Sequence, residues 1–381
     1  MENTKHSVHE SLQKILDKRK EESLYRSLQV NDGMVDFCSN DYLSFARSQK
    51  IKDKVRQKDL SQSYYLGATG ARSISGNSVY AEELEKYLAN FHHAEAGLLF
   101  NSGYDANVGL FSSIAKKEDS IICDELIHAS IIDGCRLGYA NRFRFSHNNL
   151  DELEKKLNHA KGNIFVAVES VYSMDGDMAD LKSISAICKK YNAQLIVDEA
   201  HATGIFGHQG RGLVCQLGLE KEVFARVHTF GKAMGCHGAI VIGAEVLRNY
   251  LINFARSFMF TTALPMHSLI QIKTAYEEMD QSGFDNSKLH LLIALFRKNF
   301  QSHQDFSLID SISPVQSVVI PGSARAKIVA AHLQKNGFDV RAIVSPSVPQ
   351  GKERLRISMH QHNSEEEVMG LLERLHEIMS Q

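Results

Sequence analysis

The chain is expected to be an α/β protein, with a mostly parallel central sheet in a large domain and a smaller α+β domain at the C-terminal end. Three observations predict this. From about residue 97, short apolar runs such as "GLLF", "SIICDE", "NIFVAVES" and "AQLIVDEA" alternate with helical patterns such as "LDELEKKLNHA" and "ADLKSISAICKKYN". Strands separated by helices call for crossover connections and hence parallel pairing. All five prolines lie in the last third, where the alternation gives way to mixed helices and strands. With 381 residues, the chain is long enough for more than one compact unit.

Taken in order, residues 8 to about 28 set Val8, Leu12, Ile15, Leu16 and Leu24 among charges, the pattern of an amphipathic helix. "MVDFCSNDYLSF" (34–45) reads as a short strand running into a turn. The sheet continues through "RVHTF" and "AIVIGA" to about residue 244, and a long helical stretch follows over 266–302. "SPVQSVVI", "FDVRAIVS" and "RLRISMH" are further strands, with one helix between the first two and another closing the chain. The expected division is an N-terminal arm over 1–45, a large domain over 46–284 and a C-terminal domain over 285–381.

Composition excludes several classes. With 43 Lys and Arg against 45 Asp and Glu, the net charge is −2, so no basic surface is expected for nucleic acid or membrane. The six cysteines include no C-x-x-C pair and read as reduced thiols. No His/Cys/Asp/Glu group has ligand spacing, so no metal is expected. The charged N-terminus is unlike a signal peptide, and no run is long and apolar enough for a membrane span. A soluble cytoplasmic protein is the expectation.

Ligands in such sheets gather where strands end. After "GLLF", "NSGYDAN" opens a helix whose first N–H groups could hold phosphate, with Gly103 permitting close approach; an ordinary strand-to-helix turn is the other reading. After "AQLIV", "DEAHATG" places Asp198, Glu199 and His201 at the sheet's mouth. A helicase acidic box would need an earlier G-x-x-x-x-G-K-[ST] loop, and the chain has none. After "RVH", "TFGKAMG" sets Lys232 among Gly231, Ala233 and Gly235. It is either a lysine snorkelling from a strand end or a Schiff-base lysine with room for a bound aldehyde. A phosphate turn, an aspartate and a lysine on successive strand ends make the layout of a pyridoxal phosphate site.

"NSGYDAN", "DELIHASIIDG", "ESVYSMDGDMADL", "VDEAHATGIFGHQGRG" and "HTFGKAMG" occur in this order, and together the chain resembles the α-oxoamine synthases. That resemblance implies the aspartate-aminotransferase-like fold of fold-type-I enzymes and pyridoxal 5'-phosphate as cofactor. It implies Lys232 as the Schiff-base lysine, Asp198 as partner of the pyridine nitrogen and His201 near the ring hydroxyl. His128 matches the histidine stacked on the ring. Gly103, Tyr104, Ser173 and Thr229 match residues lining the cofactor pocket, and Glu169 a polar position near substrate. Thr261 and Thr262, in "FTTALP", match hydroxyls that reach the phosphate of a neighbouring subunit, which implies a homodimer. Relatives commonly carry proline where this chain has Asp180.

For substrates, the resemblance implies condensation of an amino acid with an acyl thioester, releasing thiol and carbon dioxide. "SNDYLSF" and "GATGARSISGN" point to L-alanine and a pimeloyl thioester, carried by coenzyme A or an acyl carrier protein, as in biotin biosynthesis. Glycine with a short acyl group, serine with palmitoyl, or a degenerate site kept for binding are the alternatives. Arg356 matches the arginine for the amino acid's carboxylate, and Asn40 and Ser347 match polar neighbours in that pocket. Arg26 matches an arginine for the acyl chain's far carboxylate; otherwise it is an exposed arginine on the amphipathic helix.

Overall fold

The computed structural model describes residues 7–22, 24–30, 33–60, 64–303 and 305–379. Its strands, in chain order, are β1 (Val35–Asp36), β2 (Ala96–Phe100), β3 (Ser120–Asp124), β4 (Asn141–Phe145), β5 (Ile164–Glu169), β6 (Gln194–Asp198), β7 (Val223–Thr229) and β8 (Ala239–Gly243), then β9 (Ser307–Leu308), β10 (Val315–Val319), β11 (Phe338–Asp339), β12 (Arg341–Ile343) and β13 (Arg354–Ser358).

Seven of them form the large sheet, in the order β2-β8-β7-β6-β5-β3-β4. Its pairs are parallel except those made by β8, which runs against both β2 and β7. The central strands carry unbroken apolar runs because helices cover both faces, leaving Val166, Val168, Leu195 and Val197 without exposed surface. The edge strand β4, "NRFRF", is not expected from the sequence. Its two arginines hide the apolar alternation, and charge of this kind protects an open edge.

β12-β13-β10-β9 form a second, antiparallel sheet. β1 pairs with β11, so the strand after the N-terminal arm is tied to the C-terminal region and not to the large sheet. A single buried apolar cluster joins the two regions, running from Val166 and Leu195 to Val318, Leu355 and Leu371.

Two helical expectations are corrected. The first helix is Val8–Glu21, so Leu24 and Arg26 fall outside it. None of its residues is buried, and no packing is available to prolong it. Local terms set its ends: a capping box between Ser7 and Glu10, and Lys18, Arg19 and Lys20 in the last turn. The stretch over 266–302 is two helices, Met266–Met279 and Ser287–Asn299, separated by the turn-forming "DQSGFDN".

Candidate active site

The C-terminal ends of β5, β6 and β7 lie side by side, and each delivers a charged or polar group into one pocket. Asp198 ends β6 and is 5% exposed. Its Oδ2 accepts from Asn107 Nδ2 at 2.8 Å and its Oδ1 from the Ala200 N–H at 2.9 Å. Asn107 comes from helix Gly103–Ser113, which begins at the end of β2 and is capped by Ser102, whose Oγ accepts from the Asp105 N–H at 3.0 Å. The first turn of this helix thus opens beside the pocket, with N–H groups available to an anion. A Cβ on Gly103 would come within 3.2 Å of Thr229 Oγ1, so glycine keeps this approach open.

The Asn107 amide also donates to Ser130 Oγ at 3.0 Å, and Ser130 Oγ lies 2.7 Å from His128 Nδ1. His128 is the N-cap of helix Ala129–Leu137, and its Nδ1 accepts the Ser130 N–H. Nδ1 is therefore the bare nitrogen of a neutral ring, leaving Nε2–H to donate. Burial and the positive Lys232 hold the imidazole below its ordinary range, against the pull of Asp198. The Tyr104 ring meets His128 edge-on at 6.4 Å, and its hydroxyl is bonded to Asp133.

Lys232 sits in the turn between β7 and β8. Burial lowers its amine from the usual lysine range; Asp198 and Glu169 oppose this and Arg356 adds to it. The small neighbours have a structural reason. Gly235 has φ +61° and packs so tightly that a Cβ would run into the backbone of Ala46.

On the far side, Tyr42 is completely buried, and its hydroxyl lies 2.8 Å from His201 Nδ1, 2.9 Å from Asn40 Oδ1 and 3.2 Å from an Arg356 terminal nitrogen. Arg356 is held at every nitrogen. Nε donates to the Ser173 carbonyl at 2.7 Å, one terminal nitrogen to Ser358 Oγ at 3.0 Å, and the other to Asn40 Oδ1 at 2.9 Å. His201 is pushed well below the ordinary imidazole range by burial, then by Lys232 and Arg356.

The fold therefore brings together Lys232, Asp198, His201, His128, Asn40, Ser173 and Arg356, with Gly103 and Thr229 in contact at one wall. Other predicted positions lie elsewhere. Arg26 donates to Ser347 Oγ at 2.9 Å in a cleft of about 1150 Å³ whose lining includes Ser39 and Met174, the sequence neighbours of Asn40 and Ser173. Thr261 Oγ1 and the Thr262 carbonyl accept from Asn101 at 3.1 and 2.8 Å, and the Thr262 side chain faces outward. Sequence reasoning missed Tyr42, Asn107, Ser130 and Asn101. An asparagine on the buried face of a helix was the one available signal, at Asn107. Glu199 of "DEAH" has a structural role, being fully buried and accepting the N–H groups of Leu213 and Val214 at 2.8 and 2.7 Å.

Among the described residues, folding also gathers two groups of possible metal ligands that linear spacing does not reveal, Asp36 with His360 and His362, and His93 with Cys215 and Glu220. Arginines already occupy both, Arg47 on Asp36 and Arg226 on Cys215. Among the described residues, no helix is long and apolar enough to cross a membrane.

Comparison with known proteins agrees with this arrangement. The family model for class I and II aminotransferases matches residues 32–375. An 8-amino-7-oxononanoate synthase from Emericella nidulans is 43% identical over 394 residues, covering 96% of this chain and 94% of that protein. Among solved structures, Sphingomonas wittichii serine palmitoyltransferase superposes with a TM-score of 0.88 at 27% identity, covering 98% of this chain and 99% of that one. The 8-amino-7-oxononanoate synthase of Francisella tularensis gives 0.79 at 28% identity, covering 92% and 98%. The chain belongs to the class I and II aminotransferase family, within its α-oxoamine synthase group.

Proposed function

We propose that this chain is a pyridoxal-phosphate-dependent acyltransferase that condenses L-alanine with a pimeloyl thioester to give 8-amino-7-oxononanoate, carbon dioxide and free thiol. Two of the relatives, from Emericella nidulans and Francisella tularensis, carry the name 8-amino-7-oxononanoate synthase, which supports this reading, and so does the donor set of the pocket. One observation carries it at the site: a buried lysine amine shares a pocket with Asp198 and with a fully tethered arginine.

Pyridoxal phosphate fits the residues present. The open turn at Gly103 and Tyr104, with Thr229 opposite, suits its phosphate. Asp198, fixed by Asn107, suits its pyridine nitrogen, and His201 its ring hydroxyl. Bound there, the cofactor supplies an aldehyde for an amine and a ring that accepts electrons from a carbanion.

The remaining roles fall to the chain. Arg356, held in place beside Asn40, presents a fixed positive charge that can take the amino acid's carboxylate. Lys232, whose amine burial shifts below the usual lysine range, takes and returns the α-proton. His128, whose Nε2–H is left to donate, can stabilise the oxygen of the attacked thioester. The cleft holding Arg26 and Ser347 receives the acyl chain. Thr261 and Thr262 serve a partner subunit's phosphate, which makes the working unit a homodimer, and the donor rides on coenzyme A or a carrier protein. Cytoplasmic residence and a division into 1–45, 46–284 and 285–381 belong to the same reading.

The test is thiol release by cofactor-loaded protein, with alanine, glycine and serine crossed against pimeloyl, acetyl and palmitoyl thioesters. Release confined to alanine with pimeloyl is expected. Release with glycine and acetyl, or with serine and palmitoyl, overturns the substrate assignment.

A further inference from the structure

The stretch "VYSMDGDM" after β5 forms a loop whose ends, Val171 and Met178, pair with each other. The proposed reaction uses only its Ser173. Yet the four residues from 173 to 176 are each held by a side chain of β10, of β13 or of the segment leading into β10. The Ser173 carbonyl accepts from Arg356 Nε at 2.7 Å, and the Met174 carbonyl from Ser317 Oγ at 2.6 Å. The Asp175 carboxylate is ion-paired with Arg354. The Gly176 carbonyl accepts from Ser311 Oγ at 2.7 Å and Ser313 Oγ at 2.8 Å. Gly176, at φ +78°, lies so close to β10 that a Cβ would run into the Val315 carbonyl.

The loop closes on itself without these contacts, because the Tyr172 N–H donates to the Asp177 carbonyl at 2.9 Å and the Gly176 N–H to the Tyr172 carbonyl at 2.8 Å. The contacts therefore set where the loop sits on the C-terminal sheet. Arg354 and Arg356 are two residues apart on β13, so both project from one face of that sheet. Ser317 is paired with Arg356 across the strands and shares the face. The arginine beside the pocket and the arginine on Asp175 thus grip one loop at two points. Of all these contacts only Arg354–Asp175 joins two ions, and its side chains are 5% and 14% exposed. Hydrogen bonds between charged partners are the strong ones, and a buried guanidinium tolerates the loss of its carboxylate badly. Removing the charge of Asp175 loosens the loop from β13, and with it the carbonyl on which Arg356 Nε is seated.

We propose that Asp175 is a positioning residue for the amino-acid substrate: paired with Arg354, it seats residues 173–176 on β13, and the Ser173 carbonyl then fixes the direction of the Arg356 side chain. Asp175 acts on substrate only through this loop. Its effect is therefore confined to ligands that carry a carboxylate for Arg356 to take. This role rests on the reading that gives Arg356 the substrate's carboxylate.

The test compares full-length holoenzyme with its Asp175→Asn variant, which keeps an acceptor for Arg354 and removes the charge. Dissociation constants are read from the change in the cofactor's visible band on adding L-alanine or L-alaninamide, which has the same amine and no carboxylate. Asp175→Asn is expected to weaken alanine about tenfold and to leave alaninamide within about twofold of wild type. Equal weakening of both ligands would show a merely structural role, and unchanged binding of both would show none; either result overturns the proposal. If Asp175→Asn does not fold, Ser317→Ala removes only the hold on the Met174 carbonyl. That variant is expected to weaken alanine about threefold and alaninamide not at all, and equal effects on the two, or none, overturn the proposal. Wild-type protein that binds alaninamide as tightly as alanine contradicts the assignment of Arg356 to the carboxylate, and the role of Asp175 falls with it.

Discussion

The side-chain amide of Asn107 donates to Asp198 Oδ2 at 2.8 Å and to Ser130 Oγ at 3.0 Å, joining the carboxylate at the end of β6 to the His128 cap through one buried asparagine. A single residue from helix Gly103–Ser113 thus sets the orientation of two groups from other elements. Hydrogen bonds to a charged group are worth about 1.5–3 kcal/mol, so Asn107→Ala should weaken cofactor retention about tenfold or more. Spectroscopic titration of apoprotein with pyridoxal phosphate measures this, and unchanged affinity would show that Asp198 needs no such support.

Tyr42 plays the same part on the far side of the pocket. Its hydroxyl touches His201, Asn40 and Arg356, so Tyr42→Phe leaves three polar groups short of a partner without opening a cavity. The expected effect is a rise in KM for the amino acid of about tenfold, corresponding to one lost buried hydrogen bond of about 1–2 kcal/mol, with a smaller change in kcat. Steady-state kinetics with the amino acid varied distinguish the two. A fall in kcat alone would place Tyr42 outside the carboxylate pocket.

How far the site was legible depended on where each residue sits in the chain. Lys232, Asp198 and His201 each follow directly on an apolar run, so the end of a strand announced them. Tyr42 and Arg356 come from opposite ends of the chain, and the pairing of β1 with β11 and of β13 with β10 holds both segments in the C-terminal region, where the two side chains meet. Nothing local in "SNDYL" signals that contact. The first helix departs from expectation for a related reason: its apolar stripe predicts burial, yet Val8, Leu12, Ile15 and Leu16 are all exposed in this chain.

Stability should fall in alkali through His147. The imidazole lies between Asp124 Oδ1 at 2.9 Å and Asp177 Oδ2 at 2.6 Å. Burial opposes its charge, but the two carboxylates outweigh burial and lift the group from 6.5 to about 10. A raised value in the folded state means that the charged ring stabilises the fold fully below its ordinary titration. That contribution is lost as pH rises from about 6.5 through about 10. Denaturant midpoints followed across this window should fall for wild type and stay flatter for His147→Gln, the two converging near the top. Parallel curves would contradict the assignment.

Glu199 should matter to folding. Its carboxylate accepts the N–H groups of Leu213 and Val214 at the start of a short helix, in a site with no exposure. Glu199→Ala strands both donors and should cost about 3 kcal/mol. Urea denaturation reads this directly, and a loss under about 0.5 kcal/mol would fall within the range of ordinary surface changes and deny the role.

Capture of the cofactor on the one lysine where β5, β6 and β7 converge is tested most directly by mass spectrometry after reduction. Wild-type protein loaded with pyridoxal phosphate and treated with borohydride should carry the added mass on the peptide containing Lys232, and Lys232→Ala should fold, carry none and release no thiol. Modification at another lysine, or near-normal turnover by Lys232→Ala, would contradict the account.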